Sequence, residues 1–137
     1  MMKSIVETIQ SLPNMISFKP ATNREIMNAE IELRVSFAEE YKSYLLAFGA
    51  IVATGIELTG IAKAKHRDVI LVTKQEWDMN VNVPHTMYVI ENTGIDGIII
   101  WQSSEGKIYR TTTGSQPVQI AESMNEYITG RIVSSDL

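Results

Sequence analysis

The side chains that most often carry out catalysis or bind metals are scarce in this sequence. It has two histidines, His66 and His85, and no cysteine. Without thiolates, a tetrahedral zinc site would need both histidines together with carboxylates, and the spacing of the two histidines is not that of metal ligands. The absence of cysteine also excludes a disulfide framework. We therefore expect no metal site and no bound cofactor, and we expect both histidines to be loop residues.

No short motif of a known enzyme class is present. The sequence lacks the G-x-S-x-G nucleophile elbow, the phosphate-binding P-loop and the G-x-G-x-x-G dinucleotide fingerprint. A paired-carboxylate hydrolase stays open, because any two acidic side chains could converge in the fold. Glu39 and Glu40 are not such a pair, since adjacent residues of a helix point about 100° apart. They are expected to be ordinary first-turn charges, and we expect a protein that is not an enzyme.

Composition and charge indicate one globular domain that does not bind nucleic acid. The chain has 137 residues, of which 45% are hydrophobic and 20% charged, so it is long enough to bury a core and is not generally disordered. Its net charge of -4 disfavours a surface that grips phosphates. The absence of cysteine is compatible with the reducing cytoplasm, which is the location we expect.

Two segments could be mistaken for membrane-targeting elements. The first sixteen residues contain Glu7 and Gln10 where a signal peptide would be apolar. Residues 44–62 carry a single charge, Glu57, and are long enough to cross a bilayer. However, a carboxylate within the hydrocarbon costs about 2–4 kcal/mol, and glycines recur at turn-like spacing in this window. We expect no membrane association and interpret residues 44–62 as core.

The stretch from residue 36 to residue 60 organises the predicted fold. The tetrad at residues 36–39 has the S-x-x-E spacing of a capping box and predicts the start of a helix. Apolar residues then recur at helical intervals: Phe37, Tyr41, Leu45 and Phe48. Gly49, where this stripe stops, predicts a left-handed C-terminal cap. Residues 51–54 and 56–59 predict a β-hairpin directly after it.

Similar signals divide the rest of the chain. Capping boxes of the Ser/Thr-x-x-Glu type are predicted at five positions: Ser4, Thr22, Ser36, Thr73 and Ser123. The first, second and fifth predict helices, and the tetrad at Thr73 predicts a brief helical turn after a buried strand at residues 69–73. Further strands are predicted at residues 87–91, 98–101, 107–110 and 118–120, the last an edge strand protected by Pro117. This order predicts an α+β fold with a mostly antiparallel, curled sheet of about five or six strands.

The motifs, taken in this order, resemble those of the SUKH superfamily. The first part comprises Phe48-Gly49-Ala50 after the long helix and then the segment GIELTG at residues 55–60. The second part comprises a strand ending at residues 88–92, then Gly94, Asp96-Gly97 and the segment GKIY at residues 106–109. Two positions depart from the pattern, because Ala50 replaces a second glycine and Phe37-Ala38 stands where proline is frequent. The resemblance covers residues 22–128.

The resemblance implies a single SUKH-like domain over residues 1–137, with an N-terminal helix and connector at residues 1–21 and the core at residues 22–130. The superfamily includes yeast cell-wall-synthesis regulators and many bacterial immunity proteins. It implies a cytoplasmic, bacterial protein that binds a cognate toxin domain, often a nuclease, and occludes it. A regulatory scaffold and a small-ligand-binding module are the alternatives. The immunity role is preferred because the chain is nearly the minimal domain; its oligomeric state is not predicted.

A surface that binds such a partner needs aromatic anchors and complementary charge. The candidate partner-binding residues combine the two in or near predicted loops and strand ends: Trp77, Asp78, Asp96, Glu57, Trp101 and Glu105. Structural roles compete at three of them. Trp101 follows three isoleucines and is as compatible with the core, Glu57 fits simple alternation along a strand, and Asp96 fits a tight turn.

Overall fold

The computed structural model describes residues 3–135, with side chains as far as residue 132. Its helices are α1 (Ile5–Gln10), α2 (Asn23–Leu33), α3 (Glu39–Phe48), α4 (Val69–Met79) and α5 (Met124–Ser135), with a 3₁₀ turn at Lys65–Arg67. Its strands are β1 (Ile16–Ser17), β2 (Ile51–Ala53), β3 (Ile56–Leu58), β4 (Tyr88–Asn92), β5 (Ile99–Gln102), β6 (Ile108–Thr111) and β7 (Val118–Ala121).

All seven strands form one antiparallel sheet in which the spatial order follows the order along the chain. The predicted α+β class and the antiparallel sheet are therefore confirmed, and the predicted number of strands is close. The additional strand is β1, in a segment predicted to be a connector, where Ile16 and Ser17 pair with Val52 and Ile51. A strand of two residues offers no alternating pattern to detect in the sequence.

The central strands are covered on both faces. The first four residues of β4 and all of β5 are buried. On one face, the hydroxyl of Tyr88 donates to the amide oxygen of Gln102 and accepts from the backbone N–H of Ala38, which precedes α3. On the other face, Trp101, which adjoins Gln102 in β5, lines a cleft together with Glu76 of α4. The hydroxyl of Thr73 in α4 also accepts from the backbone N–H of Val89. Helices α3 and α4 therefore enclose the same part of the sheet.

An aromatic cluster joins α3 to the sheet. Phe37, Tyr41 and Tyr88 lie with ring centroids 4.7–5.1 Å apart. The hydroxyl of Tyr44 donates to the backbone oxygen of Thr59. After the helix, Gly49 adopts a φ of 72°, and a Cβ atom there would lie 1.9 Å from the backbone oxygen of Lys19. Glycine is required at this position both by the conformation and by the close approach.

The predicted capping box at residues 36–39 is wrong. Helix α3 begins at Glu39, and its N-cap, Ala38, has no side-chain cap. The segment before the helix is held instead by tertiary contacts, because the backbone N–H of Phe37 donates to the carboxylate of Glu30 and that of Ala38 to Tyr88. The S-x-x-E spacing is a local signal, and contacts from distant residues override it here.

The predicted strand at residues 69–73 is also wrong, as is the capping box at Thr73. These residues form the first part of α4, whose N-cap, Asp68, accepts a hydrogen bond from the backbone N–H of Ile70. Thr73 lies inside the helix. The run of β-branched residues suggests a strand, but the positions that are buried follow the helical interval: Val69, Val72, Thr73, Glu76 and Trp77.

The other predicted helix starts are closer to the structure. Ser4 and Thr22 form reciprocal capping boxes with Glu7 and Glu25. At the start of α5, the hydroxyl of Ser123 accepts from the N–H of Glu126, but the carboxylate of Glu126 accepts from the N–H of Glu122. The fifth box is therefore only half formed. Within residues 3–135, no helix combines the length and the hydrophobicity that crossing a bilayer would require.

Candidate functional site

A cleft lies where the C-terminal end of α4 meets two loops of the sheet. We call it the α4 cleft and define it by its lining residues: Gln75, Glu76, Met79, Asn80, Asn92, Gly97, Ile99, Trp101 and Thr111–Gly114. Its volume is about 230 Å³. The loop before β5 and the loop after β6 reach the same end of the sheet, because successive antiparallel strands alternate in direction. The C-terminal half of α4 forms the opposite wall.

Hydrogen bonds fix the loops that form this end of the molecule. The side-chain amide of Asn80 donates to the backbone oxygen of Ser115 over 2.9 Å, and that of Asn82 donates to the backbone oxygen of Gly114 over 2.8 Å. Gly97 has a φ of 70°, and a Cβ atom there would lie 2.5 Å from the hydroxyl of Thr113. A surface built from interlinked loops loses little conformational freedom when it binds a partner.

Three exposed apolar side chains belong to the segments that form the α4 cleft. Met79 lines it and is 63% exposed, Val81 follows the lining residue Asn80 and is 89% exposed, and Ile95 lies two residues before Gly97 and is 62% exposed. Val81 has the largest exposed fraction among the large apolar residues of the described chain. Apolar side chains gathered beside a polar cleft are typical of a protein-binding surface.

Two of the six predicted partner-binding residues are next in sequence to residues that line the α4 cleft. Asp78 is exposed on α4 beside Met79. Asp96 is exposed beside Gly97 and has a φ of 51°, so it belongs to the tight turn that was its alternative interpretation. Their position next to lining residues makes them candidates to contact whatever docks over the α4 cleft.

The two tryptophans occupy internal positions. Trp101 is fully buried under the α4 cleft, and its indole N–H donates to the hydroxyl of Thr111 over 2.9 Å. Trp77 is 9% exposed; its indole N–H donates to the backbone oxygen of Met87, and its ring stacks on His85 with centroids 4.2 Å apart. Both indoles have their polar atom satisfied within the chain, and neither offers more than a small surface to a partner.

Glu57 and Glu105 lie away from the α4 cleft. Glu57 pairs with His66 over 2.9 Å and with Arg67 over 3.0 Å. These two residues precede the N-terminal end of α4, whereas the cleft lies at its C-terminal half. Glu105 is exposed in the turn that joins β5 to β6, at the opposite end of β5 from Gly97. The six predicted residues therefore do not form a single surface.

The one ionisable side chain that lines the cleft was not predicted as a site residue. Glu76 lies on the buried face of α4 and is only 8% exposed. Burial raises the pKa of this carboxyl group. One sequence signal could have revealed Glu76. It follows Val72 by four residues and Thr73 by three, so on a helix it would lie on the same, mostly apolar face. Local patterns conceal this position, because residues 69–73 predict a strand and the tetrad at Thr73 predicts a capping role for Glu76.

The described residues that line the α4 cleft do not form a set of ligands for a metal ion. Within the described residues, no group of three or more histidine, cysteine, aspartate or glutamate side chains is placed to hold a metal ion. The α4 cleft contributes one carboxylate, together with amide and hydroxyl groups. Such a lining can accept and donate hydrogen bonds, and it can neutralise one positive charge.

The comparisons with known proteins agree with this architecture. A family model described as SUKH_5, SMI1-KNR4 cell-wall, matches residues 2–132. The chain belongs to the SUKH superfamily. The SUKH match confirms the resemblance found in the motifs and extends it to α1, which the motifs did not cover. A search of curated proteins finds no match.

A solved structure shows the same SUKH-like fold. A crystal structure of a protein from Pseudomonas syringae pv. tomato matches with a TM-score of 0.71 and 15% sequence identity, over 91% of this chain and 93% of that one. At this identity the similarity concerns the fold alone. The α4 cleft of this SUKH protein therefore has to be interpreted from its own residues.

Proposed function

We propose that this SUKH protein is a non-enzymatic immunity protein that neutralises a toxin domain by covering it. Membership of the SUKH superfamily is the observation that carries the proposal, since toxin neutralisation is the role that the resemblance implies for many bacterial members. The mechanism is steric: a rigid surface blocks the toxin's active site or its substrate. No side chain of the immunity protein makes or breaks a bond.

The surface around the α4 cleft supports this mechanism. Met79, Val81 and Ile95 supply exposed apolar area, while Asp78 and Asp96 supply negative charge beside it. The net charge of -4 complements the basic surface that a nucleic-acid-cleaving toxin needs in order to hold phosphates. Such complementarity accelerates encounter, and buried apolar anchors slow dissociation.

The decisive experiment tests protection in cells. The C-terminal domain of the protein encoded beside this chain's gene is expressed alone and together with this chain. We expect growth to stop in the first case and to continue in the second. With purified proteins, toxin activity should fall to zero at an equimolar ratio, since occlusion is stoichiometric. Toxicity that persists with this chain present, or inactivation by trace amounts of it, would contradict the proposal.

Substitutions identify the binding surface. Val81→Glu combined with Ile95→Glu should weaken toxin binding by at least tenfold, because both apolar contacts would be replaced by charges. Ile31→Glu is the matched control, since Ile31 is 68% exposed on α2, outside the residues that line the α4 cleft. Isothermal titration calorimetry measures all three affinities. Equal losses in the double variant and in the control would show that the toxin binds elsewhere.

A regulatory scaffold is the second candidate, favoured by the words "cell-wall" in the description of the matching family. Such a scaffold would also bind a protein but would give no protection against a neighbouring toxin. A small-ligand module is less well supported by the α4 cleft, because its volume of about 230 Å³ is below the roughly 300–1,000 Å³ of most ligand pockets.

A further inference from the structure

Glu76 is buried in a position that an apolar residue would normally occupy. It shares the inner face of α4 with Val69 and Val72, and this face packs on the central strands of the sheet. Its residue surface is 8% exposed, and the carboxylate borders the α4 cleft rather than the solvent-exposed side of the helix. Among the described residues that line this cleft, it is the only ionisable one.

No described residue forms a hydrogen bond or an ion pair with the carboxylate of Glu76. The contrast with two other shielded carboxylates of the chain is sharp. Glu91, whose side chain is 3% exposed, is held by Tyr127 over 2.5 Å and by Arg131 over 2.6 Å. Glu40 accepts three hydrogen bonds, all of 2.7–3.0 Å. Buried carboxylates are normally paired, and Glu76 is the exception.

Among the described residues, no side-chain oxygen or nitrogen atom that is fully buried lacks a hydrogen-bond partner. The unpaired oxygens of Glu76 must therefore retain contact with the cleft. Burial is the cause of the raised pKa of this group, as expected for a carboxylate without a compensating donor. The missing donor has to approach through the opening of the cleft.

The size and lining of the cleft restrict what that donor can be. A volume of about 230 Å³ is too small for a typical cofactor and leaves room for one long side chain. Met79 supplies exposed apolar surface to the wall, with the buried Ile99 and Trp101 beneath, and an aliphatic stem can rest there while its charged end is held at a polar site. Gln75 and Thr113, both exposed, add hydrogen-bonding groups to the lining.

We propose that the α4 cleft receives one lysine or arginine side chain of a partner protein, whose cation pairs with Glu76. The partner would be the toxin domain, and in that respect the inference rests on the proposed function. The cation would supply the donor that Glu76 lacks, and the exposed Met79, Val81 and Ile95 would pack around the inserted residue. The cleft then acts as the specificity pocket of the interface.

The test uses small cations in place of a partner. The full chain is titrated with n-butylammonium and with ethylguanidinium, which reproduce the ends of lysine and arginine, and with n-butanol as the neutral control. The ¹³C chemical shift of the Glu76 carboxyl group and the indole N–H resonance of Trp101 are followed by NMR. At least one cation should produce a saturable shift at both positions, with an affinity at least tenfold above that of n-butanol.

Two variants complete the test. Glu76→Gln should lower the affinity for the cation at least tenfold, as judged by the Trp101 resonance, whereas Glu39→Gln removes an exposed carboxylate on α3 and should leave it unchanged. No saturable shift with either cation, equal binding of n-butanol, or an unchanged affinity in Glu76→Gln would overturn the inference. Because no toxin is used, failure of the cleft and failure of the immunity role are separable. Cation binding without protection in cells would contradict the immunity function but would support the proposed cation-binding role of the α4 cleft.

Discussion

Three glutamates of this chain show how surroundings decide what a carboxylate does. Glu40 and Glu91 are satisfied by donors from α5 and stabilise the fold. Glu76 lines a cleft, and none of the described residues pairs with it. An unpaired charge on a mostly buried side chain is incompletely hydrated, which destabilises the folded state, so its presence is easier to explain by binding than by stability. Sites that bind partners often carry such a local loss of stability.

The substitution Glu76→Gln should therefore stabilise the free protein at neutral pH. We expect a gain of about 1 kcal/mol in the free energy of unfolding, the low end of the cost of an unsatisfied buried group. For a chain of this size that corresponds to a rise of about 4 °C in Tm. Differential scanning calorimetry at pH 7 measures it. The same substitution should weaken toxin binding, whereas a loss of stability would indicate that Glu76 has a structural partner.

The pH dependence of this gain follows from the raised pKa of Glu76, which has burial as its cause. A carboxyl group with a raised folded-state pKa favours folding while it is protonated, and this contribution is lost as the pH rises from the ordinary value of 4.5 through the raised value. The advantage of Glu76→Gln should therefore be full at pH 7 and should shrink toward zero near pH 4. An equal gain at both pH values would exclude ionisation of Glu76 as the cause.

At the scale of the elements, the sequence predicts the boundary of a helix or strand best when the local motif also stabilises that boundary. Ser4 and Thr22 cap their helices because the donors they satisfy lie within the same turn. The hairpin of β2 and β3 and the strands β4–β7 follow from short apolar runs separated by turn residues. Helix α4 is the exception, because its first half is rich in β-branched residues and packing against the sheet decides its conformation.

The site was predictable only in part for the same reason. Asp78 and Asp96 can be selected from the sequence as exposed loop or helix-end charges, and in the structure both are exposed and next in sequence to residues that line the α4 cleft. The cleft itself arises from the meeting of α4 with loops far away in the chain, so no local pattern contains it. If residues 69–73 are interpreted as a strand, the sequence does not predict that Glu76 lies on the buried face of a helix.

The N-terminal end of α5 depends on a side chain from another helix. The carboxylate of Glu40 in α3 accepts from the backbone N–H groups of Met124 and Asn125 over 2.7 and 2.8 Å, and from the side-chain amide of Gln102 over 3.0 Å. Glu40 is a first-turn charge of α3, as predicted, but it also caps α5. A carboxylate that meets unsatisfied helix donors is favoured both by the hydrogen bonds and by the helix dipole.

Glu40→Gln should destabilise the protein by about 1–2 kcal/mol, the range observed for the loss of a helix cap. The amide retains the shape of the side chain but turns an NH₂ group toward a backbone donor. Glu39→Gln is the matched control, with an expected change below about 0.5 kcal/mol, because the side chain of Glu39 is 93% exposed. Urea unfolding compares the two, and similar losses in both variants would show that Glu40 does not cap α5.

At the scale of the whole molecule, α5 closes the structure by contacting both ends of it. Asn125 accepts a hydrogen bond from Thr8 of α1 over 2.5 Å. Further along the helix, Arg131 pairs with the buried Glu91 of β4 over 2.6 Å and also donates to the backbone oxygen of Gly55. Burial, and after it the neighbouring Glu91, raises the pKa of Tyr127, while Arg131 opposes this shift; the phenol stays protonated and can donate to Glu91.

Removing one member of this buried pair should cost more than removing both. Arg131→Met leaves Glu91 without its cation and should destabilise the protein by about 3 kcal/mol, whereas the double variant with Glu91→Leu should recover at least half of that loss. A double-mutant cycle by urea unfolding measures the coupling. Additive losses in the two single variants would mean that the pair contributes no interaction energy.

The order of the strands has a consequence for how the chain reaches this structure. Strands β4–β7 follow one another with short connections, so each new pairing closes a small loop and requires little loss of chain entropy. The pairing of β3 with β4 must instead enclose α4, and the seam between α1 and α5 joins the two ends of the chain. Local topology thus favours early formation of the C-terminal meander, and the α4 cleft, which needs both parts, is among the last features to take shape.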